Sequence, residues 1–98
     1  MNMREIQKVQ QKLIKMQDEL AIALFTGTAG GGAVSITLNG KFEMTAVKID
    51  PEAFNAEDIA ELETMILAAS KDAESKVNNA QEKLTMNITG GMKIPGLL

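Results

Sequence analysis

Ile6, Val9, Leu13, Met16 and Leu20 are spaced by three, four, three and four residues. That period places them on one narrow face of a helix and predicts a helix from about Asn2 to Ala21. Such regular spacing describes a seam against another helix as well as it describes a core face.

Period two takes over next. Leu24 and Thr26 alternate with Ala23 and Phe25 before the stretch from Gly27 to Gly32 interrupts. Val34, Ile36 and Leu38 then alternate with Ser35 and Thr37, the pattern of a half-buried strand. Asn39-Gly40 is the pair preferred in a two-residue type I′ turn, and a third strand from Phe42 to Ile49 follows. This turn pairs Thr37 with Phe42, Ile36 with Glu43 and Ser35 with Met44. Val34, Ile36, Leu38, Val47 and Ile49 then share a face covered by helices. Phe42, Met44 and Ala46 lie on the other face, beside Ser35, Thr37 and Lys48. That face is too apolar for a fully wet surface, so the three residues are read as a subunit contact, with scattered surface apolar residues as the alternative.

"DPEAFNAEDIAELETMI" opens a second helical region, with Asp50-Pro51 as one cap signal and Asn55 with Asp58 as another. Ile59, Leu62, Ile66, Ala69, Ala73, Val77, Ala80 and Leu84 form its apolar stripe, small at the centre. The run stops near Gly90-Gly91. The expected fold class is α+β: a three-stranded antiparallel meander between two long helices, in the order α-β-β-β-α. Its helices overhang the sheet and invite a partner, most economically a second copy.

Composition removes most chemistry. The 98-residue chain has no Cys and no His, hence no thiolate, imidazole base or usual zinc site. No apolar run approaches a membrane span and no signal-peptide pattern is present, so the expectation is one domain over residues 1–98, in the cytoplasm. Glycines 27 to 32 lead into a strand rather than a helix and lack a Gly-Lys-Ser/Thr step, so they read as a turn and not a phosphate cradle. The acids from Asp50 to Glu63 match no metal-ligand spacing and suit a helix start. No catalytic residue, metal, cofactor or small-molecule substrate is expected.

The net charge of −3 hides an uneven distribution. Arg4, Lys8, Lys12 and Lys15 fall within an arc of about 80° on the first helix, away from its apolar seam. Gln7, Gln10, Gln11 and Gln17 flank them. Such a stripe can meet a phosphate backbone; equally, it can be a solvated helix face. Lys76 and Lys83 form a weaker pair on the second helix, diluted by Glu74 and Glu82. The chain has no Trp or Tyr for stacking single-stranded bases. A protein-interaction module that grips a partner between its helix ends is the alternative from another class.

The ordered pattern "FTGTAGGGAVSITLNG", "VKIDPE" and "GGMKIPG" resembles the YbaB/EbfC family of bacterial nucleoid-associated proteins over nearly the whole chain. The resemblance implies an α-β-β-β-α protomer, a tweezer-like homodimer, and association with double-stranded DNA in the nucleoid, with effects on its organisation and on gene expression. Transferred to this chain, it assigns DNA contact to Arg4, Lys8, Lys12 and Lys15, with Lys76 and Lys83 beside them. It makes Gly27, Gly30, Gly32 and Gly40 turn residues.

Overall fold

The computed structural model describes residues 2–89. Helix α1 (Met3–Ile22) leads through the single residue Ala23 into strand β1 (Leu24–Ala29). Strands β2 (Val34–Asn39) and β3 (Met44–Ile49) follow, then helix α2 (Ile59–Thr89). The sheet is an antiparallel meander in the order β1-β2-β3. This is the expected α+β order. Gly90-Gly91 and the tail after them, read as a helix stop, lie outside the described residues.

The core forms where α2 crosses β1 and β2. Val34, Ile36 and Leu38 from alternate positions of β2 are buried with Ala69, Ala73 and Val77 of α2. Gly27 lies opposite Ile36 in the ladder. A Cβ there would overlap the Ala69 carbonyl oxygen and the Ala73 amide nitrogen, and would come within 2.9 Å of the Ala73 Cα. Gly27 is therefore part of β1 and serves close helix approach, not the turn in which the sequence placed it. The small centre of the α2 stripe is the matching half of this contact. The turn itself is made by Gly30, Gly31 and Gly32, with φ of 62°, 67° and 95°, values that disfavour a side chain.

The second connection differs from the expected type I′ turn. Four residues, 40 to 43, separate the strands, and Phe42, at φ 63°, takes the positive dihedral. Asn39 organises the loop: its side-chain oxygen accepts from the amides of Lys41 at 2.8 Å and Glu43 at 3.1 Å. Gly40 is buried, and its φ lies outside the left-handed region. The register moves accordingly, to Leu38 opposite Met44, Thr37 opposite Ala46, Ile36 opposite Val47 and Val34 opposite Ile49, with an irregularity between Thr37 and Leu38. Thus Phe42 belongs to the loop, Met44 faces Leu38 and Ala46 faces Thr37. The three do not form one regular row.

Asp50-Pro51 opens a tight turn instead of the helix, with the Ala53 amide donating to the Asp50 carbonyl at 3.1 Å. The second signal is the effective one. Asn55 and Asp58 form a reciprocal capping box on the short turn that leads into α2.

Because α2 lies across β1 and β2, β3 is left uncovered. Val47 is 47% exposed and Ile49 41%, although both were expected beneath helices. The free edge of β1 is closed by α2 itself. The Asp72 carboxylate accepts from the Thr28 amide at 3.0 Å, and the Lys76 ammonium donates to the Thr26 carbonyl at 2.6 Å.

Two outcomes test this packing. Gly27→Ala should cost about 3 kcal/mol, at the upper end for overpacking because the atoms it meets are backbone. Gly31→Ala, in open space, should cost only the left-handed penalty of about 1–2 kcal/mol. Equal losses in chemical-denaturation midpoint for the two variants would contradict the close-approach assignment. Asp72→Ala should speed hydrogen exchange of the Thr28 amide by about tenfold, the equivalent of one charge-assisted hydrogen bond. An unchanged exchange rate would show that the edge is not held by this contact.

Candidate nucleic-acid interface

Helix α1 starts at Asn2, whose side-chain oxygen accepts from the Glu5 amide at 2.9 Å. From there it runs 20 residues without one buried side chain. Leu13, Met16 and Leu20 are half-buried, whereas Ile6 and Val9, on the same seam but farther from the sheet, are 38% and 55% exposed. The body-proximal half of α1 shares a shallow groove with α2, lined by Met16, Leu20, Ala80 and Leu84. The rest of α1 projects. The molecule measures 65 × 24 × 17 Å, and its radius of gyration is 18.3 Å, against roughly 13 Å for a compact chain of this length.

Arg4, Lys8, Lys12 and Lys15 are all exposed on this helix. The centre of their arc lies about 120° around the axis from the centre of the apolar seam, so packing the seam leaves them outward. From Arg4 to Lys15 the ridge extends about 16 Å. Among the described residues, no acid lies within ion-pair distance of any of the four. Asp18 and Glu19 continue α1 toward the sheet, so the basic character belongs to the outer part of the helix.

Lys76 and Lys83 are placed differently. The Lys76 ammonium is committed to the β1 edge, with Asp72 at 3.7 Å as a second partner. It sits at the sheet, not on the projecting ridge. Lys83 is exposed and borders the α1–α2 groove beside Glu19 and Met16, at the root of α1. Thus α1 alone assembles four of the six cations singled out in the sequence. Phe42, Met44 and Ala46 are exposed at the opposite side of the strand array from β1.

Two residues at the base of α1 were not read as parts of the site. Gly40 abuts the last turn of α1, and Gln81 donates to the Gly40 carbonyl at 3.0 Å. Gly40 was taken for a turn residue because Asn-Gly is such a strong hairpin signal, and nothing in the spacing marks Gln81. Among the described residues no group of three or more His, Cys, Asp or Glu is placed to hold a metal ion, and no helix is long and apolar enough to cross a membrane.

An isolated basic ridge on a projecting helix is suited to a polyanion. The chain is 45% identical over 93 residues to a nucleoid-associated protein of Bartonella bacilliformis, covering 95% of this chain and 86% of that one. It is 41% identical over 95 residues to a nucleoid-associated protein of Pelotomaculum thermopropionicum, covering 97% and 90%. The crystal structure of an uncharacterized protein from Helicobacter pylori shares the fold, with a TM-score of 0.73 at 21% identity over 92% of this chain and 99% of that one. The pattern of the YbaB/EbfC DNA-binding family matches residues 1–92. With that match, these relatives and the α-β-β-β-α order in agreement, the chain belongs to the YbaB/EbfC DNA-binding family.

Proposed function

We propose that this chain is a nucleoid-associated protein that binds duplex DNA as a homodimer, through the outer part of α1, without catalytic activity. The observation that carries the reading is the ridge of Arg4, Lys8, Lys12 and Lys15: four exposed cations, without an acidic partner among the described residues, on a helix that buries no side chain of its own. Family membership and the names of the relatives support the same partner.

The mechanism is electrostatic. A ridge of about 16 Å exceeds the width of a major groove, about 12 Å, so its ends can reach phosphates on both rims. Each cation that neutralises a phosphate releases condensed counterions, which makes affinity salt-dependent and only weakly dependent on sequence. Gln7 and Gln11 lie exposed on the flank of these cations and can donate to phosphate or base edges. The acidic remainder of the chain repels the duplex and confines contact to the helix tip. Lys76 contributes little, because its ammonium already serves the β1 edge.

The second copy covers what α2 leaves open on β3. Val47 and Ile49 continue the face of the buried Ile36 and Val34 in the ladder; Met44 and Ala46 belong to the same strand, and Phe42 lies in the loop before it. An apolar surface continuous with a core is suited to a permanent partner. Two ridges would then act together on one duplex, in the cytoplasm, at the nucleoid.

Charge reversal at Lys8, Lys12 and Lys15 to Glu should abolish binding to a random-sequence duplex while preserving helix content, whereas Lys76→Gln should change affinity less than about threefold. For the parent, log Kd against log salt should be steep, with eight cations setting a limit of about 7 in magnitude. A slope near zero, or retained affinity in the folded triple variant, would overturn the ridge assignment. Val47→Lys should shift the molecular mass in sedimentation equilibrium from two chains to one. A variant that stays dimeric would place the interface away from β3.

A further inference from the structure

The sheet reaches α1 through one residue. Helix α1 ends at Ile22 and β1 begins at Leu24, with Ala23 extended between them at φ −64° and ψ 148°. Such a link fixes where the helix is attached but leaves its direction to the two soft dihedrals of a single residue. Since α1 has no buried side chain, few contacts are available to hold that direction.

Besides the groove it shares with α2 at Met16 and Leu20, α1 meets the body at Gly40. A Cβ on Gly40 would fall on the Leu20 carbonyl oxygen, within 2.6 Å of the carbonyl carbon and 3.2 Å of the Ala21 Cα. The β2–β3 loop and the last turn of α1 therefore touch backbone to backbone. Behind the loop, the half-buried Gln81 of α2 donates through Nε2 to the Gly40 carbonyl at 3.0 Å. Gln17, Leu20, Ala21, Leu84 and Thr85 close the remaining sides of the same crevice, whose volume is about 380 Å³. Three elements distant in sequence thus meet on one buried glycine.

We propose that Gly40 and Gln81 form a clamp that sets the angle at which α1 leaves the body, and that they are positioning residues for the basic ridge. The functional half of this proposal rests on the DNA-binding reading above; the mechanical half does not. Leverage makes the angle important. Arg4 lies sixteen residues from Leu20, about 24 Å along the axis, so a tilt of about 15° displaces it by about 6 Å. That is half the width of a major groove. A small change at an uncharged residue would therefore move every cation of the ridge relative to the second ridge of the dimer.

The chain has no cysteine, so labels can be introduced cleanly. Gln10→Cys on α1 and Asn78→Cys on α2, both exposed, would carry nitroxides for a pulsed electron–electron distance measurement. Labelled protein is diluted into an excess of unlabelled chain of the same variant, which isolates the distance within one protomer. The parent should give one narrow distance. Gly40→Ala and Gln81→Leu should each broaden or shift it by about 3 Å or more, as a tilt of this lever requires, while the β1–β2 amides keep their exchange protection. Affinity for a random-sequence duplex should fall roughly tenfold although no charge has changed.

Should Gly40→Ala fail to fold, Gln81→Leu decides. A folded variant with the parental distance would overturn the clamp. A shifted distance with parental affinity would overturn the positioning role and leave the clamp standing. Parental protein that does not bind DNA would sink the DNA-binding reading alone, since the distance is measured without DNA.

Discussion

The contact between α2 and β1 at Gly27 is the constraint from which the remaining architecture follows. With no side chain at that position, the helix backbone lies directly on the strand, and Ala69 and Ala73 provide a surface flat enough to meet it. A helix seated so near one edge of a three-stranded sheet cannot also cover the opposite edge. The same seat brings Asp72 and Lys76 within reach of the β1 main chain. It also sets the line along which α2 overhangs the sheet and supports α1. Exposure of β3, closure of β1 and projection of α1 are three results of one close approach.

Where local signals were sufficient, the sequence was legible. Regular spacing marked the α1 seam, alternation marked β2, and Asn55 with Asp58 marked the true start of α2. Glycine was the ambiguous letter. The same residue serves a positive dihedral at Gly30 to Gly32 and a missing side chain at Gly27 and Gly40. These uses differ in what lies across space, which composition does not record. Misassigning Gly40 moved the hairpin register, and with it the expected grouping of Phe42, Met44 and Ala46.

The basic ridge was legible for a different reason. Its geometry depends only on helical periodicity and on which face is apolar, both present in the first 20 residues. Lys76 shows the limit of that logic. On a helical projection it is one more exposed cation, but α2 lies so near β1 that its ammonium finds a carbonyl fifty positions earlier in the chain. Distinguishing a free charge from an engaged one required the tertiary fold.

The closed edge of β1 also bears on assembly size. A sheet open on both sides could recruit copies without end, and a protein concentrated along a polymer would be exposed to that hazard. Here side chains occupy one border, so main-chain pairing has a single direction in which to proceed. Two copies joined across their β3 borders would present only guarded strands to the outside. Growth would end at a pair, and fibre formation would have no template.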